Sequence, residues 1–277
     1  MVKKSSLLFV LIITLNFVGC SQSISLRNNE RQFSKDSLEY YQIRTDTLFS
    51  TKQVISILVL PKALLNKFHV DIDYNKPGLM TTSKFGELNH AVAALNGSYF
   101  DMDSIAGVVY LEKNDSVINR TRSPKLKWAK PDSIINGVVV ITKENRLLVQ
   151  QAKSDQFYEA SKAEKAVLVS GPLLLYGGKK TPLADLKFVT NRHPRTFLCT
   201  TENDILFIAV DGRSSQADGM NLIEAQDFLI SLGCEEAINL DGGGSTALWI
   251  RDKGVINHPS DLTGERPVSN AFIIMKQ

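Results

Sequence analysis

Apolar residues along this chain fall into short runs of five to seven, separated by Gly, Pro, Asn, Asp and Ser. That length suits strands and is too short for most helices. Twelve such runs predict strands: Val54 to Leu60, Phe68 to Asp73, Ala91 to Asn96, Gly107 to Leu111, Gly137 to Thr142, Leu147 to Gln151, Ala166 to Ser170, Thr196 to Thr201, Ile205 to Asp211, Ala237 to Asp241, Thr246 to Ile250 and Ala271 to Met275. Helical patterning is confined to Ser154 to Ala163 and Leu222 to Leu232. The second of these has a marked start and stop. Asn221 stands three before Glu224, as in a capping box, and Gly233 follows the last apolar residue. Glu224 is therefore expected to cap a helix, not to act as a catalytic acid. The pattern predicts a single α+β domain on a large mixed or antiparallel β-sheet system with few helices.

The N-terminus departs from this pattern. Lys3 and Lys4 precede an apolar run from Leu7 to Val18, whose twelve residues end at Gly19-Cys20. A membrane span needs about 20 apolar residues, so the segment reads as a signal peptide. Phe17-Val18-Gly19-Cys20 resembles a bacterial lipobox, in which the cysteine is lipidated. Phe17, in place of the usual Leu, leaves cleavage by ordinary signal peptidase as the alternative. The expected division is 1–19 lipoprotein signal peptide, 20–45 lipidated Cys20 and flexible polar tether, and 46–277 folded domain. Such a protein sits outside the cytoplasm on a bacterial envelope, periplasmic or extracytoplasmic, and meets the membrane through its lipid alone.

Composition narrows the function classes. Lys and Arg total 32 against 29 Asp and Glu, and loss of Lys3 and Lys4 with the signal brings the formal charge from +3 to +1. Nucleic-acid binding loses its electrostatic basis. Three cysteines cannot staple a scaffold; Cys199 and Cys234 would pair in an oxidising compartment or remain small buried residues. The four histidines, at 69, 90, 193 and 258, show no His-x-His or His-x-x-x-His spacing. No metal or cofactor is called for, although carboxylate and carbonyl oxygens can hold a divalent cation without such a signature.

Three apolar runs end alike, at Asn96-Gly97, Asp211-Gly212 and Asn239-Leu-Asp241-Gly242-Gly243-Gly244-Ser245. Each ending alone is a hairpin signal. Together they predict a shared cleft at strand ends, with Asn239 and Asp241 on the face opposite Ile238 and Leu240. The glycine run can offer successive backbone N–H groups to an anion. It lacks the Gly-Lys-Ser/Thr of a P-loop and the spacing of a dinucleotide fold. Arg195, in Arg192-His193-Pro194-Arg195, and Arg213, in Asp211-Gly212-Arg213, supply forks suited to phosphate oxygens.

These residues, with Asn96-Gly-Ser-Tyr-Phe100, Gly219-Met-Asn-Leu222 and Val268-Ser-Asn270-Ala271, resemble the phosphodiester glycosidase family in order and spacing. The likeness runs from about Val54 to Met275. Ser98 and Tyr99 stand where the family usually has Gly and Phe, and Asn221 replaces the commoner Thr. The resemblance implies hydrolysis of a sugar-1-phosphodiester at the glycosidic bond, giving free sugar and a phosphomonoester. It implies that Arg195, Arg213 and the Gly242 to Ser245 amides neutralise the departing phosphate. Asp241, or failing it Asp211, activates water or stabilises the sugar cation. Asn96, Gly97, Gly212, Asn239 and Asn270 then line the substrate, and His193 shuttles a proton or serves structure. The stretches Asp101 to Ser104 and Arg120 to Ser133 are expected to set substrate choice. Two other classes compete. One is a non-catalytic lipoprotein that binds anionic glycans. The other is a serine hydrolase using Ser245 with His258 or His193, although a strand-like run follows Ser245 where an elbow needs a helix.

Overall fold

The structure, a computed structural model, describes residues 38–277. The signal peptide, Cys20 and most of the expected tether lie outside the described residues. Three antiparallel sheets carry the fold. The largest orders its strands Glu39–Thr45, Gln53–Pro61, Asp204–Val210, Arg195–Thr200, Glu236–Asn239, Leu173–Tyr176 and Lys179–Lys180. A second runs Leu147–Gln151, Gly137–Thr142, Glu164–Ser170, Leu111–Lys113, Ser116–Asn119. The third runs Gly254–Val255, Leu248–Ile250, Ala93–Asn96, Asn270–Lys276, Phe68–Tyr74. The central strands are nearly continuous apolar runs because both their faces are covered; all six residues of Gly137–Thr142 are buried.

One hydrophobic cluster spans all three sheets, from Ile57 and Phe207 through Val139 and Leu168 to Phe272. A smaller one, around Phe85 and Trp249, sits under the helix Thr82–Leu88. Gly86 in that helix lets it lie flat on the sheet, since a Cβ there would come within 2.4 Å of the Trp249 ring. That contact offsets the roughly 1 kcal/mol a mid-helix glycine costs.

The helix Leu222–Ser231 begins with the expected capping box. Asn221 Oδ1 accepts from the Glu224 N–H at 2.8 Å, and Glu224 accepts from the Asn221 N–H at 3.1 Å. Glu224 also holds Arg192 through Nε at 3.0 and 3.1 Å. The first predicted helix is shorter than its pattern, Asp155–Ala160. Cys199 and Cys234 form a disulfide with Cα atoms 5.9 Å apart, tying the middle of the large sheet to the segment after the Leu222–Ser231 helix.

Two expectations are corrected. Residues 39–45, assigned to the tether, are an edge strand paired in register with Gln53–Pro61. Burial along them does not alternate cleanly, since Tyr41, Gln42 and Ile43 are all half-buried, and polar Gln42 and Arg44 break any apolar run. The predicted strand from Gly107 to Leu111 is broken: Ala106–Gly107 pairs with Phe100–Asp101 and Leu111–Lys113 joins the second sheet. Val108, Val109 and Tyr110 between them are buried as core.

Candidate active site

Two of the three polar strand ends meet, although they belong to different sheets. Asn96 Nδ2 donates to the Asp241 carbonyl at 2.7 Å, and the Asp241 N–H donates to the Gly97 carbonyl at 3.0 Å. Asn96 Oδ1 accepts from Thr196 Oγ1 at 2.9 Å and from the Ala247 N–H at 3.1 Å. Asn96 is fully buried with both polar atoms engaged inside the protein. It clamps the two sheets together. Asn270 Oδ1 accepts from the Ser98 N–H at 2.8 Å, holding the ends of two neighbouring strands of the third sheet together. Gly97 is required beside it, because a Cβ would fall 2.0 Å from that oxygen.

The third end turns elsewhere. Asp211 is buried, and its carboxylate accepts from the His258 N–H at 2.8 Å and Asn257 Nδ2 at 3.3 Å. Asn257 in turn bonds the Thr246 carbonyl at 3.1 Å and the Leu248 N–H at 2.8 Å. Asp211 thus pins residues 257–258 to the strand Leu248–Ile250. Burial pushes its pKa up, against those two hydrogen bonds.

Asp241 is half-buried at the mouth of the Asn96 junction. Burial raises its carboxyl pKa, opposed by the Ser245 hydroxyl, the charges of Lys130 and Arg266, and the Gly242 N–H. Ser245 Oγ, itself buried, makes no hydrogen bond of regular geometry. Tyr99 lies beside the same carboxylate. Its buried hydroxyl donates to the Gly171 carbonyl and accepts from Asn239 Nδ2 at 3.0 Å. Burial first, then the Asp241 charge, keeps this phenol protonated. Lys130 Nζ sits 4.9 Å above the Tyr99 ring.

The glycine run serves packing more than anion capture. The Gly243 N–H donates to the Pro194 carbonyl at 2.9 Å, the Ser245 N–H to the Gly242 carbonyl at 3.2 Å, and the Gly242 N–H faces Asp241. A Cβ on Gly242 would lie 2.6 Å from the Pro194 carbonyl, and one on Gly244 2.1 Å from Asp261 Oδ1. Gly243 adopts a positive φ of 62°. Gly212 fits under the same turn, 2.8 Å from the Pro194 nitrogen by the same measure.

The cations divide. Arg195 is 1% exposed, donating from Nε to the Met220 carbonyl at 2.9 Å and from Nη2 to the Phe188 and Asn191 carbonyls at 2.7 and 3.0 Å. Its guanidinium carbon lies 4.9 Å over the Phe188 ring. Burial pulls its pKa down to about 10, so it stays charged at neutral pH. The expected phosphate ligand is in this way enclosed behind the site. Arg213 is exposed, lies against Gly243, and reaches His193 Nδ1 at 3.4 Å. His193 is half-buried, and burial, then Arg195 and Arg213, lower its pKa. Arg266 is paired with Asp261 through bonds of 2.7 and 2.9 Å, the pair resting on Gly244.

The structure therefore gathers Asp241, Gly242 to Gly244, Ser245, Arg213 and His193, and adds Tyr99, Lys130 and Arg266, which the sequence did not single out. Tyr99 lay within the Asn96 motif and Lys130 within the flagged loop; Arg266 carried no signal beyond standing two residues before Val268. Among the described residues no three His, Cys, Asp or Glu side chains converge on a metal-sized site.

A family profile described as phosphodiester glycosidase matches residues 89–275. The SPbeta prophage-derived uncharacterized protein YomE of Bacillus subtilis (strain 168) is 35% identical over 82 residues, which are 29% of this chain and 12% of that protein. This chain thus spans about an eighth of that relative. In three dimensions the chain is similar to the zebrafish N-acetylglucosamine-1-phosphodiester alpha-N-acetylglucosaminidase catalytic domain auto-inhibited by pro-peptide, with a TM-score of 0.68 at 18% identity over 87% of this chain and 83% of that one. A hypothetical protein from Synechocystis aligns with a TM-score of 0.62 at 12% identity, covering 87% of this chain and 62% of its own. At these identities the likeness is one of fold. The profile runs across every residue of the Asp241 site, and the chain belongs to the phosphodiester glycosidase family.

Proposed function

We propose that this protein hydrolyses the glycosidic bond of a sugar-1-phosphodiester. Water adds its oxygen to the anomeric carbon, the bond from that carbon to the phosphate oxygen breaks, and Asp241 takes the water proton. The departing oxygen leaves as part of a phosphomonoester. The observation that carries this reading is the pairing of a half-buried carboxylate of raised pKa with the cations Lys130 and Arg266. A base works best when its pKa approaches the working pH, and burial moves Asp241 that way. Lys130, Arg266 and Arg213 are the groups suited to the phosphate charge, because a phosphate leaving group needs neutralisation more than a proton. Arg195 supports from behind by holding the Phe188 and Met220 carbonyls, with its charge beside Tyr99. Asp211, engaged by residues 257–258, acts as a positioning group.

The serine-hydrolase reading lacks support, since Ser245 Oγ has no histidine partner and the strand Leu248–Ile250 follows it. An extracytoplasmic location is part of the proposal, supported by the Cys199–Cys234 bond, a type that persists in oxidising compartments. Release of free sugar from a panel of sugar-1-phosphodiesters tests the reaction. Wild type should release sugar and Asp241→Asn should lose at least a hundredfold in kcat. Full turnover in the variant removes Asp241 from the chemistry. Binding without release by wild type makes the protein a glycan-binding lipoprotein instead.

A further inference from the structure

A second concavity lies near the Asp241 site and shares none of its side chains. It encloses about 440 Å³, within the roughly 300–1,000 Å³ of small-ligand sites. It lies between the end of the strand Leu147–Gln151, the start of the helix Asp155–Ala160 and residues 132–136. The wall residue Val169 ties it to Asp241. The Val169 carbonyl accepts from Ser98 Oγ at 2.9 Å, and Gly97, one residue back, accepts from the Asp241 N–H at 3.0 Å. Asp132, in another wall, stands two residues after Lys130, which faces the Tyr99 ring.

The walls are tied together within the protein. The Ala152 N–H donates to the Asn136 carbonyl at 2.9 Å, and Asp155 accepts from the Thr121 N–H and Oγ1, both at 2.8 Å. Ile135, Ala152 and Val169 supply apolar surface. Beside them stand four planar polar side chains with unused hydrogen-bonding groups. Asn136 Oδ1 is held by the Leu173 N–H at 2.8 Å, which leaves its Nδ2 without an acceptor among the described residues. Gln151, Gln156 and Asp132 are exposed, and their side chains make no hydrogen bond or ion pair among the described residues. The charges around the cavity disfavour an anion. Asp132 and Asp155 outnumber Lys153, whose Nζ is drawn over the Phe157 ring at 3.7 Å.

We infer that this cavity is a second, non-catalytic site that binds an uncharged sugar residue. Planar amide and carboxylate groups each reach two neighbouring hydroxyls, while apolar atoms meet the C–H surface of the ring. An anionic ligand would set its charge against Asp132 and Asp155. A hydrocarbon chain would strip water from Asp132 and the free Asn136 Nδ2 with no return. An ammonium ligand would suit Asp132, but the three amides would offer it only their oxygens. Held at this second point, a polymeric glycan stays at high local concentration beside the Asp241 centre. The inference needs no particular reaction at Asp241.

The test is an NMR titration with maltose, lactose, cellobiose and diacetylchitobiose, following the backbone amides of residues 132–136 and 151–156. Inorganic phosphate and methylamine serve as the anionic and cationic probes. Wild type should bind at least one disaccharide with shifts at these residues, and neither charged probe should move them. Gln151→Ala combined with Gln156→Ala, both at exposed positions, should melt within about 2 °C of wild type and bind the sugar about tenfold more weakly. Asp132→Asn keeps an acceptor and should stay within about threefold. Asp241→Asn should bind the sugar as wild type does. No sugar binding by wild type up to about 50 mM, or an affinity unchanged in the double glutamine variant, overturns the inference. Sugar binding lost in Asp241→Asn places the ligand at the catalytic centre and overturns it too. Methylamine shifts that vanish in Asp132→Asn overturn it in favour of an amine site. Sugar release from phosphodiesters is read separately, so either result there leaves this one standing or fallen on its own.

Discussion

Asn96 separates a ligand contact from a structural clamp, and the two roles differ in what its removal does to stability. Asn96→Ala deletes hydrogen bonds of 2.7, 2.9 and 3.1 Å to Asp241, Thr196 and Ala247. Thr196 and Ala247 are both buried, so water cannot replace the lost partner. At about 1 kcal/mol net per bond, with more for groups left unpaired, the loss sums to about 3–5 kcal/mol. For a domain of this size that is a fall in Tm on the order of 10 °C. Thermal melts followed by circular dichroism read it directly. Asn96→Asp sharpens the test. The new carboxylate keeps one acceptor but turns a second oxygen toward the Asp241 carbonyl, where only a protonated group can donate. Its pKa in the folded state is then raised, so its stability is greatest below the ordinary Asp value near 4 and is lost as pH rises through the raised one. An Asn96→Ala protein that melts within about 2 °C of wild type while losing affinity for substrate would refute the clamp and return Asn96 to the substrate.

The remaining predictions follow the same geometry. Because burial raises the Asp241 pKa, its charge opposes folding above about pH 4; Asp241→Asn should melt above wild type at pH 7, with the gap closing as pH falls to 4 or below. A gap that widens on acidification contradicts the sign. Replacing Cys199 and Cys234 together by Ala opens a loop spanning 35 residues and should cost about 2–4 kcal/mol in urea unfolding, whereas equal midpoints for wild type with and without reductant would deny the bond. Arg213→Ala removes one of the charges that lower His193, so the His193 pKa should move up toward 6.5, its ordinary value, in an NMR titration. An unmoved value would mean that burial and Arg195, not Arg213, set it.

Much of the sheet architecture was legible because strand signals are local. Gly137–Thr142 and Leu147–Gln151 have the ends that the apolar runs and turn residues mark, and the Asn221–Glu224 capping box is written in four consecutive residues. Edge strand Glu39–Thr45 was not legible, since an edge is half wet and its pattern dilutes. Of the candidate site, the convergence of the Asn96 and Asp241 ends was expected and the roles within it were not. A fully buried Arg195 and an exposed Arg213 look alike in sequence, as do a free glycine N–H and one bonded to the Pro194 carbonyl.

By itself, then, the sequence determined most of the central strands and roughly where they stop, and that amide and carboxylate side chains followed by glycine stand at three of those stops. The tertiary structure decided which of those side chains face a ligand. Hydrogen bonds to other strand ends and loops engage Asn96, Asn270 and Asp211 and enclose Arg195, leaving Asp241 beside the charges of Lys130 and Arg266, with Arg213 against Gly243. Whether a polar group is available to a substrate depends on who else has bonded it, and those partners lie up to 172 residues away along the chain.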